Sequence, residues 1–301
     1  MSYWKDESLA PAFEYMRLLT QHHSKSFYFS TRLLPVKKRW PVFALYGFCR
    51  FADNLIDNPR KRTAAQLKNE LNCFKRELEL AYESGDSEHP IIKPFIYIAQ
   101  KYDIPREYPF DLLQGVQMDI DISRYETFED LYLFCYRVAA VVGLMMTHVM
   151  GYSDDSAFVY AEKLGIAMQL SNILRDIQED KNMGRVYLPL SELNDYGLSE
   201  KDILAENFNE RMRSLMQFQV ERAHRYYEES NTGIPMLDIE SRFAVSSASR
   251  IYRGILVKIE KNGYNPFLGR VYIPFSKKIV FLIEELLRTK TAHLRHRIKL
   301  R

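Results

Sequence analysis

Between Ala167 and Asp180 the chain reads AMQLSNILRDIQED, a stretch that few folds can accept. Leu170, Ile173, Leu174 and Ile177 recur with the period of a helix, and neither Gly nor Pro interrupts them. On that helix Asn172, Asp176 and Asp180 advance by about 40° per step, so they share one face and climb roughly 12 Å along the axis. An upstream stretch, WPVFALYGFCRFADNLID from Trp40 to Asp57, places Tyr46, Arg50, Asp53 and Asp57 within about 60° of one another. Like charges four residues apart repel, so each ladder needs something to offset its charge. A lone D-x-x-x-D is most often a solvated acidic face. Here Phe48, Phe51, Leu55 and Ile56 take the other sides of the upstream helix, which leaves little of it to solvent, and enclosed carboxylates need cations. Two such ladders, far apart in sequence, point to one shared site.

The ligand atoms are all oxygen, with no His or Cys cluster nearby. That set suits a hard cation: magnesium, with manganese as the alternative, typically takes one or two carboxylates, waters and phosphate oxygens. Arg50 and Arg175, one near each ladder, add forked donors that match phosphate. The residues alone describe a diphosphate held by magnesium between two helices of an apolar bundle.

The remaining sequence fits an all-α chain. Its 301 residues, 47% of them hydrophobic, can bury a large core, and nothing marks a second domain, so residues 1–301 are read as one all-helical unit. The 12 Gly and 12 Pro fall mostly between long periodic segments. Helices are expected at about 11–23, 36–57, 63–83, 90–102, 107–118, from 127, from 155 to Gly184, 208–230, 241–261 and from 276. His23-Ser24-Lys25-Ser26 reads as a polar turn. The segment after Thr127 is apolar on nearly every side, with Ala139, Ala140 and Gly143 permitting close packing or leaving room for a ligand. A net charge of +3, evenly interspersed, argues against a nucleic-acid partner. Cys49, Cys73 and Cys135 are odd in number and sit in apolar pattern, so free core thiols in a reducing compartment are expected. No signal peptide is evident and no apolar run reads as long enough for a membrane span, so a cytoplasmic protein is expected.

Six motifs, in order along nearly the whole chain, resemble the squalene and phytoene synthase family. They are HSKSF at 23–27, ALYGFCRFADNLID at 44–57, QGVQMDIDISRYET at 114–127, FCYRVAAVVGLMM at 134–146, QLSNILRDIQED at 169–180 followed by GRVYLP, and Tyr252 with Arg270. Within the family the sequence is most similar to bacterial phytoene synthases. The resemblance implies an isoprenoid-synthase helical bundle with a central hydrophobic tunnel, and magnesium-dependent head-to-head condensation of two prenyl diphosphates. It assigns Asp53, Asp57, Asn172, Asp176 and Asp180 to metal binding. It assigns His23, Ser24, Lys25, Ser26, Tyr46, Arg50, Gln169, Arg175, Tyr252 and Arg270 to the diphosphates, Arg270 only after a one-residue shift. Arg50 and Arg175 join the four aspartates as the catalytic set. Two positions depart from the family: Asn54 replaces a frequent Asp, and Phe134 replaces a frequent Tyr, removing a hydroxyl that Tyr136, about 200° around an α-helix, does not replace.

The implied product is phytoene, a carotenoid precursor, made from two geranylgeranyl diphosphates through a cyclopropyl diphosphate, with a final proton loss and no NADPH. The alternatives are squalene or dehydrosqualene synthesis from farnesyl diphosphate, and a non-catalytic assembly factor on the same fold. Thr31 stands where relatives using the shorter substrate carry a bulky aromatic, and Phe43 is a candidate to refill that space. At the C-terminus Arg288, Lys290, Arg295, Arg297, Lys299 and Arg301 lie among Leu294, Ile298 and Leu300, a candidate for peripheral docking on anionic lipid.

Overall fold

A computed structural model describes residues 3–57 and 62–286. No β-strand occurs among them, only isolated bridges such as Arg124 to Val186. Helices run at Ala10–His23 (α1), Lys25–Thr31 (α2), Val36–Asp57 (α3), Ala64–Ser84 (α4), Ile92–Lys101 (α5), Glu107–Asp121 (α6), Phe128–Cys135 (α7) and Val141–Met150 (α8). The chain continues through Ser156–Asn182 (α9), Leu190–Asp195 (α10), Glu200–Leu204 (α11), Glu210–Ser230 (α12) and Ile239–Lys261 (α13), and residues 275–286 form α14. The all-helical reading holds, and most boundaries fall within two or three residues of those expected.

Local chemistry explains where the helices begin and end. Thr63 and Thr127 each close a capping box, with Gln66 and Asp130, which satisfies donors that a bare helix start leaves open. Gly85 ends α4 in the left-handed region, with φ of 80°, where a side chain would be strained. Ser24 separates α1 from α2 as a single residue, and its hydroxyl accepts from the Phe27 amide at 3.3 Å. The expected polar turn is therefore a helix start. α10 and α11 were not anticipated, being too short to show a period.

Two other expectations need correction. Cys49 and Cys135 are buried free thiols, but Cys73 is exposed on α4, because its neighbours Leu71 and Phe74 take the inward face. The stretch Phe128–Met150 is long and apolar enough to cross a membrane by length and composition, and half of it is buried inside the bundle. Its helix carries a π turn over residues 136–140, an inserted residue of the kind that often marks a functional wall. Gly165 of α9 lies against that turn so closely that an added Cβ would come within 2.5 Å of the Ala140 Cα.

Two apolar clusters form the interior. One joins α1, α3, α4, α5 and α6 around Phe13, Phe48, Phe74 and Phe95; the other joins α9, α12 and α13 around Leu170, Leu215, Tyr227 and Leu256. Between them lies a cavity of about 580 Å³, walled by α2, α3, α8, α9 and α13. The small residues Ala139, Gly143, Ala161 and Gly165 line it, so the close packing of α8 on α9 and the space beside it share one cause.

Candidate active site

The ladder on α9 is held from within the helix and from one segment outside it. Arg175 forms a two-bond fork to its neighbour Asp176, Nε to Oδ1 at 2.8 Å and Nη2 to Oδ2 at 2.5 Å, and both side chains are largely buried. Arg270 arrives from the stretch after α13, with Nε 3.2 Å from Asp176 Oδ1 and Nη1 donating to Glu179 Oε2 at 3.1 Å. The one-residue shift in sequence thus still places a guanidinium on the ladder. One turn earlier Asn172 donates to Gln169 Oε1 at 3.2 Å.

Asp180 differs from Asp176. Burial pushes its carboxyl up to about 7, with the negative charges of Asp176 and Asp119 adding to the shift and Arg185 opposing it. Asp119, at the C-terminal end of α6, was not singled out in the sequence. It accepts from the Tyr187 hydroxyl at 2.5 Å, lies 3.2 Å from Arg185 Nη1, and its carbonyl accepts from Arg185 Nη2 at 3.1 Å. The Arg185 amide in turn donates to the Asp180 carbonyl at 2.9 Å. The loop closing α9 is thereby tied to both acidic helix ends, a role hidden inside the motifs QMDID and GRVYLP.

Phe134 is buried in an aromatic stack with Tyr187 and Tyr125, ring centroids 5.4 Å away in each case. The hydroxyl that Phe134 lacks therefore has a phenol beside it, on Tyr187, whose proton is committed to Asp119. Tyr136 belongs to the π turn and takes no part in that stack.

On the other wall Tyr46 stacks on Phe27 at 4.5 Å and shares a hydrogen bond with Ser24; burial raises its pKa. Arg50 and Asp53 lie close enough to act on that phenol. His23 is held below its ordinary pKa by burial and by Arg50, and its Nε2 is 3.4 Å from the amide of Asn54. An Asp at position 54 would instead attract a proton to that imidazole. Asp57 is the last residue of α3, and its side chain, like that of Ser26, lies outside the described residues. Lys25 is exposed at the start of α2.

Tyr252 of α13 joins the walls, acting electrostatically on both Tyr46 and Arg175. Ser24, Tyr46, Arg175, Tyr252 and Arg270 line the polar end of the cavity; Arg50 stands beside Tyr46, and Gln169 is bonded to Asn172. The rest of the lining is mostly apolar, with Ser30, Thr31, Thr147, Ser230 and Lys278 as its polar members. Thr31 belongs to it and is buried, its hydroxyl satisfied by the Phe27 carbonyl at 2.8 Å. Phe43 does not refill that space, because it turns away to stack on Tyr28 at 5.6 Å.

Among the described residues no three His, Cys, Asp or Glu side chains converge as a preformed metal cage. The donor set still fits a divalent cation. Asp176, Asp180 and Asp119 bring three carboxyls into a largely buried corner, and burial, together with the charges of Asp176 and Asp119, displaces that of Asp180 to about 7, so a bound cation would favour its ionised form.

The model of the squalene/phytoene synthase family matches residues 20–277. The chain is 37% identical over 287 residues to the 15-cis-phytoene synthase of Synechocystis sp., spanning 91% of this chain and 84% of the relative. It is 38% identical over 294 residues to the enzyme of the same name from Synechococcus elongatus, spanning 93% and 94%. Among solved structures it resembles a dehydrosqualene synthase in complex with ligand, with TM-score 0.87, 31% identity and coverage of 95% and 99%. It also resembles a squalene synthase from Alicyclobacillus acidocaldarius, with TM-score 0.80, 26% identity and coverage of 86% and 97%. The chain belongs to the squalene/phytoene synthase family.

Proposed function

We propose that this protein condenses two molecules of geranylgeranyl diphosphate head to head into phytoene. The observation that carries this reading is the cavity: a guanidinium-rich rim at one end, and a long apolar interior that Thr31 leaves open at α2. A space of about 580 Å³ lies within the range of small-molecule sites, roughly 300–1,000 Å³. The relatives named phytoene synthase support the same choice.

Arg50, Arg175 and Arg270 donate to diphosphate oxygens, and Tyr46 and Tyr252 position the first carbons. Magnesium, or manganese in its place, would be held by Asp53, Asp57, Asn172, Asp176 and Asp180, and would supply positive charge to the leaving diphosphate. When the first carbon–oxygen bond breaks, its electron pair leaves with the diphosphate, and the double bond of the second chain attacks the allylic cation. Loss of a proton closes the cyclopropane. Loss of the second diphosphate and rearrangement join the chains, and departure of a final proton leaves the central double bond. Throughout, the apolar walls keep out water that would quench the cations. NADPH has no part in this sequence.

A second reading is condensation of farnesyl diphosphate to squalene or dehydrosqualene, favoured by the close structural match to a dehydrosqualene synthase. The assay is purified protein with magnesium and either substrate, with and without NADPH, and the product identified by mass. Wild type is expected to prefer the twenty-carbon substrate and to make phytoene without NADPH, since burying one further isoprene unit is worth about 0.8 kcal/mol per methylene. Thr31→Phe should reverse the preference. Turnover of farnesyl diphosphate alone would give the function to the second reading. We also propose a cytoplasmic location with peripheral membrane contact through the basic residues of 288–301, which lie outside the described residues.

A further inference from the structure

Tyr272 and Phe275 are the two most exposed large apolar side chains among the described residues, at 76% and 67%. They do not stand alone. Leu268 is 62% exposed on the same stretch, Ile283 and Val280 are about half exposed on α14, and the ring of Phe275 meets Phe29 of α2 at 6.4 Å. Phe29 of α2 and Leu33, just beyond it, continue the exposed surface. The face is thus built from two segments, residues 29–33 and 268–286.

These two segments are also one wall of the cavity. Ser30 and Thr31 from one, and Val271, Tyr272 and Ile273 from the other, line the interior. An exposed apolar face and an apolar cavity are here separated by a single layer of side chains. α14 is fixed at this place by its inner side: Ser246 donates to Glu285 at 2.7 Å, Arg250 binds Glu284 at 2.5 Å and Glu285 at 3.3 Å, and Phe281 packs over Gly254. On its outer side Val280, Ile283 and Leu286 stay exposed among the described residues.

Charge decides what covers the face. Arg32 and Lys277 are exposed within it, and residues 287–301, which follow α14 in sequence, contain six Lys or Arg and no acid. A second copy would bring the same cations against these ones, which is unfavourable, whereas an anionic bilayer complements them. Aromatic and aliphatic side chains beside Lys and Arg are also the composition of a surface that lies in the lipid headgroup region.

We propose that this face docks on an anionic lipid bilayer, and that the hydrocarbon made in the cavity leaves between α2 and residues 268–286 directly into lipid. The docking stands on the surface alone; the exit route rests on the proposed function. Release of a long hydrocarbon into water instead would cost about 0.8 kcal/mol per methylene.

The experiment is flotation of the full-length protein with vesicles of phosphatidylcholine and phosphatidylglycerol, compared with Phe275→Ser/Val280→Ser/Ile283→Ser. None of these three residues lines the cavity, and all are exposed, so folding is checked simply by melting temperature. A control, Leu80→Ser/Leu133→Ser, removes comparable exposed apolar surface elsewhere. The triple variant should lose vesicle binding by about tenfold or more while the control floats as wild type does. In detergent micelles the triple variant should keep its turnover, and with vesicles its steady-state rate should fall. Equal flotation of wild type and triple variant, or no flotation of wild type, would overturn the docking. So would a wild-type dimer in solution that the triple variant abolishes, which would assign the face to a second copy. Loss of flotation with an unchanged steady-state rate on vesicles would overturn the exit route alone. Flotation does not depend on which product is formed, so its failure is distinct from failure of the proposed function.

Discussion

The two acidic ladders have the same spacing and nearly the same place in their helices, yet the fold treats them differently. Asp53 and Asp57 end α3, and Asp176 and Asp180 lie in the last turns of α9. Helix C-termini already carry partial negative charge, so all four residues fall at positions where a cation rather than an acid is favoured. On α9 the protein answers this for Asp176 with two guanidiniums, and leaves Asp180 beside Asp119 with a carboxyl raised to about 7. On α3 the polar neighbours are of another kind: His23 with a depressed pKa, the amide of Asn54 and a buried phenol. The difference teaches that identical carboxylate spacing can mark a clamped rung, which sets geometry, or an uncompensated rung, which draws in charge from outside.

The largest effect expected is on turnover. Asp53→Asn and Asp176→Asn each keep side-chain volume and remove a charge from the proposed metal set, so kcat should fall by at least about 10²-fold. Steady-state product formation over a magnesium titration checks this. Full activity in either variant would end the two-ladder site, and absence of turnover in wild type would favour a non-catalytic protein.

Stability should separate the rungs. Asp176→Asn strands Arg175 in a mostly buried position and is expected to cost about 1–3 kcal/mol, with the more exposed Arg270 pair contributing little. Asp180→Asn should do the opposite in metal-free protein at pH 8, stabilising by about 1–3 kcal/mol, because it removes a carboxylate that the fold disfavours when ionised. The sign follows from the raised pKa. Between about pH 4 and pH 7 the folded protein holds a proton that the unfolded chain has released, so stability falls as pH rises through that window and levels off above it. Melting temperatures of metal-free wild type and Asp180→Asn from pH 5 to pH 8 should diverge as pH rises. Parallel curves would show that Asp180 is not the uncompensated rung.

Much of this was legible beforehand because it depends on period. Helix faces follow from 100° per residue, which is why the ladders and the all-helical class could be read from spacing. What escaped depends on contacts between distant segments. Asp119 ends a helix in a motif with no regular spacing to either ladder, and only the fold brings Arg185 and Tyr187 onto it. The π turn at 136–140 inserts a residue and alters the angle on which the reading of Tyr136 relied. Phe43 was placed near Thr31 by proximity in sequence, but Tyr28 offered its ring a better partner. The exposed face of α14 was missed because an amphipathic pattern does not say whether both faces will be covered.

The smallest effect concerns what keeps Asp180 uncompensated. Asp119 engages Arg185 through its carboxylate and its carbonyl, so the guanidinium that opposes the raised pKa of Asp180 is shared with the end of α6. Asp119→Asn removes the charge but leaves an oxygen that can still accept from Tyr187, so the aromatic stack with Phe134 should survive. Arg185 is then released toward Asp180, and magnesium must compete with it. The magnesium concentration for half-maximal rise in melting temperature should increase by roughly tenfold, corresponding to about 1.4 kcal/mol. Adding Arg185→Gln to Asp119→Asn should restore most of the magnesium response, because the competitor is gone while the ladder is intact. If the double variant instead responds no better than Asp119→Asn, Asp119 acts on the cation directly, and the acidic end of α6 joins α3 and α9 as a third wall of the metal site.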